Sequence, residues 1–191
     1  ASHAIATLGA TVLSADHLSA STSGVSSHAV YLSKTSFAKM TNSELLATGD
    51  KSYGFYAPEA SADISGSRVT TLGKSGYGIY ASSSALAFRN GSIVTSGDAA
   101  HGVLSNNKSN VSLSSAAIET RGKQSAGVYA LSNSSADITD GSKLTIIGDV
   151  SYGVLSMSGS KAKISGSAIE TRGKQSTGVY VYSNSSADIT D

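Results

Sequence analysis

Residues 118–140 read IETRGKQSAGVYALSNSSADITD, and this stretch indicates the fold. It contains three short runs in which apolar and polar residues alternate, and each run is bounded by Gly, Ser, Asn or Asp. Alternation with a period of two is typical of β-strands, and the stretch lacks the apolar period of about 3.6 residues that would indicate a helix. Three strands and three turns within about 25 residues are the dimensions of one coil of a parallel β-helix.

The same pattern recurs along the whole chain at intervals of 24 to 26 residues. One position of the repeat always holds a small residue, which is Ala4, Ala29, Gly54, Gly78, Gly102, Gly127, Gly153 or Gly178. A period this constant predicts a solenoid whose repeats share one core. We therefore predict an all-β fold, a right-handed parallel β-helix with three short strands per coil and about eight coils, because parallel crossover connections are right-handed. In this interpretation residues 1–191 are a single β-helix domain, and we expect it to be a fragment of a longer protein because it starts and stops in mid-coil.

Aligning the repeats produces columns of similar residues that are expected to stack between coils. The inward positions of the three strands hold apolar residues, for example Ile118, Val128 and Ile138. Another column, five residues before the column of small residues that begins at Ala4, contains only glycine: Gly24, Gly49, Gly73, Gly97, Gly122, Gly148 and Gly173. Glycine at a fixed place in every coil predicts either a positive φ or a close approach of two backbone segments at a bend.

The composition excludes several classes of function. The 191 residues include 40 serines and 20 glycines but no cysteine, so the chain has no disulfide and no thiolate metal site. A formal net charge of +1 provides no electrostatic basis for binding nucleic acid or an anionic membrane. No apolar run approaches the ~20 residues of a membrane-spanning helix, and the sequence shows no signal-peptide pattern.

Two outward columns carry alternating charges. From Gly49 onward, the residue after each glycine of the all-glycine column is, in order, Asp50, Lys74, Asp98, Lys123, Asp149 and Lys174. Stacked about 4.8 Å apart, these side chains are expected to form an exposed ladder of ion pairs worth roughly 0.2–1 kcal/mol each. A shorter column of the same kind consists of Asp137, Lys163 and Asp188. We interpret both columns as structural features that set the register of the coils.

Another outward column is aromatic, and it is the candidate binding site. The candidate partner-binding strip consists of His28, Tyr31, Tyr53, Tyr56, Tyr77, Tyr80, His101, Tyr129, Tyr152 and Tyr180. Such a strip is interpreted either as ring stacking that covers a sheet face or as a recognition surface. Exposed Tyr-rich surfaces are typical of contact sites for proteins and glycans, which favours a binding function as the alternative to test.

No set of residues predicts catalysis or metal binding. Cleavage of a polysaccharide needs two carboxylates about 5–10 Å apart. The candidates are Asp137 with Asp140, and Glu119 with Glu170. These acids recur as repeat residues, which is typical of solvated turns, so we expect no catalytic residue and no enzyme. The histidines His3, His28 and His101 do not form a metal set, since the third lies three coils from the second, and we expect neither a metal nor a cofactor.

The repeat resembles that of a known family. Over residues 4–191, coils such as Gly122-Lys-Gln-Ser-Ala-Gly-Val-Tyr-Ala and Ser135-Ala-Asp-Ile-Thr-Asp-Gly-Ser resemble autotransporter passenger domains of the pertactin-like type. The resemblance implies a Gram-negative protein that is secreted, or displayed on the bacterial surface, through a C-terminal outer-membrane translocator barrel. It also implies a non-catalytic adhesin or virulence factor whose partner is a host cell-surface protein or receptor, or a matrix or glycan component.

Two alternatives remain open. Some passengers with this type of repeat are similar to secreted factors that mimic host growth factors and activate an endothelial receptor. Such an agonist would use a discrete patch where the pattern departs from the consensus, and the departures are residues 6–23 and the turn at Pro58 and Glu59. A polysaccharide-cleaving β-helix enzyme would need a groove with clustered acids or cations, which the columns do not provide.

Overall fold

The protein winds into a three-sided tube of β-strands. A computed structural model describes residues 2–191 and contains 23 strands and, over that range, no helix. Each coil contributes one strand to each of three parallel sheets, which gives seven complete turns and two strands of an eighth. The predicted all-β solenoid with three strands per coil and about eight coils is therefore confirmed, with seven complete turns and an incomplete eighth. Within residues 2–191, no helix is long and apolar enough to cross a membrane.

The three sheets are called A, B and C and form the three faces of the tube. Sheet A consists of β1 (Ile5–Ala6), β4 (Val30–Tyr31), β7 (Phe55–Pro58), β10 (Ile79–Ser82), β13 (Val103–Asn106), β16 (Ala126–Leu131), β19 (Tyr152–Met157) and β22 (Thr177–Tyr182). Sheet B consists of β2 (Val12–Asp16), β5 (Phe37–Thr41), β8 (Ser61–Ser65), β11 (Ala85–Arg89), β14 (Asn110–Ser114), β17 (Ser135–Thr139), β20 (Lys161–Ser165) and β23 (Ser186–Thr190). Sheet C consists of β3 (Ser19–Thr22), β6 (Glu44–Ala47), β9 (Arg68–Thr71), β12 (Ser92–Thr95), β15 (Ala117–Thr120), β18 (Lys143–Ile146) and β21 (Ala168–Thr171).

The core runs continuously through the tube because equivalent residues of successive coils pair directly. Ile79 pairs with Val103 in sheet A, and Ile118 pairs with Leu144 in sheet C. All four side chains are at most 1% exposed. Burying a side chain of this size contributes about 1.5–3 kcal/mol, so the predicted apolar columns hold the coils together. Since these side chains fill the interior, a binding site has to be sought on the outer faces.

Serine has a structural role at the three corners between the sheets. At each corner, the Oγ of a buried serine accepts a hydrogen bond from a backbone N–H of the preceding coil. Examples are Ser109 N–H to Ser134 Oγ (3.1 Å), Ser43 N–H to Ser67 Oγ (3.1 Å) and Ser125 N–H to Ser151 Oγ (3.0 Å). A buried N–H without a partner costs about 1–3 kcal/mol. These serines therefore stabilise the corners of the closed tube by pairing with N–H groups that would otherwise be buried without a partner.

The all-glycine column allows the backbones of neighbouring coils to approach each other closely. A Cβ atom added at Gly122 would overlap the carbonyl group of Gly97 in the preceding coil, and one added at Gly97 would overlap that of Gly73. The glycines with a positive φ lie at other positions, such as Gly66 and Gly141. Of the two explanations that the sequence left open, close approach is therefore the one that applies.

Non-glycine residues adopt the left-handed region of φ at all three corners, and at the corner between sheets C and A they do so at one fixed position. This left-handed corner lies two residues after the all-glycine column, where φ is between 51° and 56° at Ser26, Lys51, Ser75, Ala99, Gln124, Val150 and Gln175. The left-handed conformation costs an ordinary residue roughly 1–2 kcal/mol. Because side chains as different as Ser, Lys and Val adopt it at the same place, the stacking of the coils imposes it.

The predicted ladder of ion pairs is wrong in its contacts. The Oδ1 atom of Asp50 accepts a hydrogen bond from the backbone N–H of Lys74 at 2.8 Å. The equivalent bonds, from Lys123 to Asp98 and from Lys174 to Asp149, are 3.0 and 2.8 Å long. In the part of the chain that the structure describes, no ion pair joins the members of this column or of the shorter charged column. The short carboxylates reach the turn backbone of the next coil, while the lysine side chains stay exposed.

Candidate functional site

Two columns of rings lie on the outer face of sheet A, close to the corner where the chain enters this sheet. In residues 53–56, Gly54 and Phe55 are both buried against the core. The alternation of the strand is interrupted there, so Tyr53 and Tyr56 both project outwards. Backbone irregularities of this kind redirect side chains. We call the column that contains Tyr53 the corner column and the column that contains Tyr56 the strand column; together they form the aromatic strip.

The corner column is a stack of five rings: His3, His28, Tyr53, Tyr77 and His101. Successive ring centroids are 4.8, 4.5, 4.9 and 4.9 Å apart, with interplanar angles of 10°, 11°, 3° and 26°. These spacings match the distance between neighbouring strands, about 4.8 Å, so the ring planes lie across the axis of the tube. The ring faces therefore cover one another, and the column presents ring edges to solvent.

The strand column has a different orientation. Tyr56 and Tyr80 are 5.1 Å apart with an interplanar angle of 20°, and their planes make angles of 77° and 84° with the ring of Tyr53. Tyr56 and Tyr80 are therefore stacked on each other, with their planes roughly perpendicular to the ring of Tyr53. Edge-to-face contacts of the kind that join the two columns contribute about 0.5–1.5 kcal/mol each. Tyr31 extends the strand column at 5.5 Å from Tyr56, and Asn106 Nδ2 donates a hydrogen bond to the Tyr80 hydroxyl at 3.1 Å.

The strip predicted from the sequence is divided into two parts. Tyr129 is connected to the corner column through an edge-to-face contact with His101 at 5.2 Å. Non-aromatic residues occupy the neighbouring ring positions, namely Leu104, Ala126 and Leu155. Tyr152 and Tyr180 form a separate tilted pair at 5.4 Å. These two tyrosines, which the prediction included, lie outside the continuous strip, whereas His3, which it omitted, stands at its end.

The backbone holds the histidines of the strip as neutral rings. The Nδ1 atom of His28 accepts a hydrogen bond from the backbone N–H of Tyr53 at 3.0 Å, and that of His101 accepts one from Ala126 at 3.0 Å. An accepting Nδ1 carries no proton, so the proton of the neutral ring is on Nε2. Burial lowers the pKa of His28 to about 4, with a smaller contribution from the neighbouring His3, and burial lowers the pKa of His101 to about 4. At neutral pH both rings therefore present an Nε2–H donor on the side away from the backbone.

A shallow depression of about 450 Å³ lies beside the corner column. Its lining residues are Ser26, His28, Lys51, Tyr53, Tyr56, Ser75 and Tyr77. Burial raises the pKa of the three tyrosines that line it, so their hydroxyl groups keep their protons. Sequence reasoning missed Ser26, Lys51 and Ser75, which belong to the left-handed corner. Each lies two residues before a ring of the corner column. This spacing alone does not predict a contact; the turn conformation brings the three residues beside the rings.

The candidate carboxylate pairs lack the properties of a catalytic pair. Glu119 and Glu170 each accept a hydrogen bond from the arginine two residues later. Hydrogen bonds from hydroxyl groups lower the pKa of Asp140, and the hydrogen bond from its arginine lowers the pKa of Glu170. A general acid in glycoside cleavage needs a raised pKa. Within residues 2–191, no three His, Cys, Asp or Glu side chains converge as a metal-binding group.

The first coil departs from the repeat pattern and exposes apolar side chains. Leu8 is 85% exposed and Val12 is 75% exposed. Val12 pairs with Phe37 of the next coil in sheet B, and Phe37 is 41% exposed. We call these three residues the first-coil patch, and it lies on a different face from the aromatic strip.

Comparison with known proteins bears on the fold. The family model described as "Right handed beta helix region" matches residues 28–191, in agreement with the predicted handedness. Among solved structures, the chain is similar to HetL, a pentapeptide repeat protein involved in heterocyst differentiation regulation from the cyanobacterium Nostoc sp. strain PCC 7120. The identity is 9%, 87% of each chain is covered and the TM-score is 0.18, values at which the likeness carries no argument. No curated protein matches the chain.

Proposed function

The chain belongs to the right-handed β-helix family, and from this premise we propose that it is a non-catalytic recognition protein. In this proposal it acts outside the bacterial cell as an autotransporter passenger that crosses the outer membrane through a translocator barrel. Its partner is a protein, matrix or glycan component of the host cell surface. The coils that resemble pertactin-like passengers support this assignment, and the aromatic strip is the proposed recognition surface.

The observation that carries the proposal is the continuous strip of nine rings from His3 to Tyr129 on one face of the tube. The core columns are complete without these rings, which lie on the outside. Aromatic side chains are enriched in contact surfaces because rigid rings supply a large contact area at a low entropic cost. The stacking already orders the rings, so a partner does not have to immobilise them on binding.

The carboxylates favour a binding function over polysaccharide cleavage. Of the candidate acids, Glu119 and Glu170 accept hydrogen bonds from arginine and Asp140 accepts them from hydroxyl groups, and the pKa values of Asp140 and Glu170 are lowered. A retaining or inverting glycosidase needs one carboxyl group that stays protonated near neutral pH. This arrangement supports the proposal of a protein that binds without converting its ligand.

Cell binding by a paired set of tyrosine variants tests the proposal. Fluorescently labelled residues 1–191 are titrated onto cultured mammalian cells, together with a Tyr56→Ser/Tyr80→Ser variant. The matched control is Tyr152→Ser/Tyr180→Ser, which removes two tyrosines from sheet A outside the continuous strip. We expect the first variant to bind at least about tenfold more weakly, as for residues at the centre of an interface, and the control to bind like the parent chain. Equal binding by all three, with circular dichroism spectra confirming the fold, would contradict the proposal.

A receptor agonist is the second candidate, and the exposed first-coil patch is the observation that favours it. Its three apolar side chains, Leu8, Val12 and Phe37, are exposed, and Val12 pairs with Phe37 where the pattern departs from the consensus. This candidate predicts the capture of one endothelial receptor from solubilised cell membranes and stimulation of its phosphorylation. The double substitution Leu8→Ser/Val12→Ser should then abolish the phosphorylation, while Tyr56→Ser/Tyr80→Ser should leave it intact. The opposite pattern would assign the activity to the strip.

A further inference from the structure

We infer that the depression beside the corner column binds the carboxylate or sulfate group of an acidic glycan, and that such a glycan is the ligand of the aromatic strip. The inference rests on the proposed recognition function and names the chemical class of its ligand. The groups that line the depression point to this chemistry because they supply hydrogen-bond donors and one cation. No carboxylate lines the depression to compete with an anionic ligand.

The donors stand in a row along the tube axis. The ring of His28 lies 4.5 Å from that of Tyr53, which in turn lies 4.9 Å from that of Tyr77. Since Nδ1 of His28 is occupied by the backbone N–H of Tyr53, the Nε2–H of this largely buried ring, which lines the depression, remains as a donor. The two phenol groups add hydroxyl donors at the same spacing. An anionic oxygen gains most from several converging donors, because hydrogen bonds to charged groups are about twice as strong as neutral ones.

The charge at this place is positive and unpaired. Lys51 is exposed, and none of the ion pairs within residues 2–191 involves it. The neighbouring carboxylate of Asp50 is engaged with the backbone N–H of Lys74, so it is directed to the next coil. Lys51 therefore supplies a cation at the edge of a row of neutral donors, which favours an anionic group over a neutral one.

The remaining lining favours a sugar as the carrier of the anionic group. Ser26 and Ser75 contribute hydroxyl groups, which both donate and accept hydrogen bonds and therefore suit the hydroxyls of a polyol. The ring of Tyr56 provides an apolar surface for the C–H groups of a sugar ring. A volume of about 450 Å³ accommodates one or two sugar units. An acidic peptide would bring paired backbone donors and acceptors, for which the depression offers no strand edge.

Binding of small acidic sugars to residues 1–191 tests the inference directly. The probes are 3′-sialyllactose, which carries a carboxylate, a sulfated heparin disaccharide, neutral lactose and a peptide containing sulfotyrosine. Titrations followed by NMR, with the ring signals of His28 and Tyr53 as local reporters, give both affinity and location. We expect at least one acidic sugar to bind about tenfold or more tightly than lactose and to shift these signals. Equal binding of lactose, or binding of the sulfated peptide alone, would overturn the inference.

A matched pair of lysine variants shows whether the cation acts as argued. Lys51→Gln removes the charge at a position whose equivalent in another coil is already Gln124, so the fold is expected to tolerate it. The control is Lys123→Gln, which neutralises an exposed turn lysine that does not line the depression. We expect Lys51→Gln to weaken the acidic sugar about tenfold and Lys123→Gln to have no effect. Equal affinities for the two variants would refute the role of Lys51.

Enzymatic treatment of the cells separates a failure of this inference from a failure of the proposed function. Cells treated with sialidase and heparinase should lose binding of residues 1–191 if an acidic glycan is the ligand. If binding persists after treatment and is still abolished by Tyr56→Ser/Tyr80→Ser, the strip recognises another ligand and the inference is wrong while the proposed function stands. If that double variant binds untreated cells normally, the proposed function itself is wrong.

Discussion

Replacement of Gly122 by alanine is expected to destabilise the tube at the corner between sheets C and A. The added methyl group would point at the preceding coil and overlap the carbonyl group of Gly97. Carbon and oxygen atoms that are not bonded repel strongly below about 3 Å, so the two coils would have to separate locally by about 1 Å or more. Such a separation acts directly on the hydrogen bonds that cross this corner.

Three hydrogen bonds define the expected magnitude. They are Ala99 N–H to Lys123 C=O (2.8 Å), Lys123 N–H to Asp98 Oδ1 (3.0 Å) and Ala100 N–H to Ser125 Oγ (3.2 Å). Each contributes about 1 kcal/mol net, so weakening all three lowers the free energy of unfolding by about 2–4 kcal/mol. For a chain of this length, the thermal midpoint should fall by roughly 5–15 °C.

Gly24→Ala is the matched control, because Gly24 belongs to the same column in the first coil. A Cβ atom there would lie 2.8 Å from the Oγ of Ser27, which can rotate away, whereas no backbone of another coil lies within 4 Å, and the thermal midpoint is expected to stay within about 2 °C of the parent value. Circular dichroism gives the midpoints. Amide hydrogen exchange should show faster exchange near Gly122 in the variant, since a solenoid opens between neighbouring coils. An unchanged midpoint with unchanged exchange for Gly122→Ala would refute the close-approach explanation of the column.

The remaining predictions concern other side chains of the turns. The pKa of His101 is lowered from its ordinary value of 6.5 to about 4 in the folded protein. As the pH falls, the imidazole is therefore protonated in the unfolded chain at a higher pH than in the folded protein. The free energy of unfolding should therefore be constant above about pH 6.5 and fall towards pH 4. The variant His101→Asn keeps a hydrogen-bond acceptor in its amide oxygen and should show a smaller fall. Thermal unfolding at a series of pH values measures both. In urea titrations, Asp98→Ala should lower the free energy of unfolding by about 1 kcal/mol through the lost turn hydrogen bond, and Lys123→Met should lower it by less than about 0.5 kcal/mol. The reverse order would support ion pairs between the members of this column instead. Ser134→Ala should cost about 1–3 kcal/mol by leaving a buried N–H unpaired, whereas the exposed Ser112→Ala should be neutral, and equal losses would contradict the role of the corner serines.

The fold could be predicted from the sequence because each coil repeats the contacts of its neighbours. Once Ile118 was placed in the core, the equivalent Leu144 followed one coil later, and the two residues pair in sheet C. No long-range contact had to be guessed, since the period itself gives the register.

The contacts of outer side chains were less predictable because they depend on local competition. Alignment places a lysine next to Asp98, so its carboxylate could bind either the ammonium group or the backbone N–H of that lysine. The turn geometry favours the backbone N–H, which donates the observed hydrogen bond. The aromatic strip could be predicted as a set of residues, but its interruption before Tyr152 required the ring contacts. The position of Lys51 beside the rings followed from the turn conformation, which no column in the sequence reveals.

The left-handed corner has a consequence for how a protein of this kind can change. Its backbone conformation is imposed by the stack, and its side chains already differ between coils, from Ser26 to Lys51 to Val150. Substitutions there alter the surface beside the rings without touching the buried columns or the corner serines. The chemistry of this surface and the folding stability can therefore vary independently, so such a protein can change the face beside its rings while its scaffold stays the same.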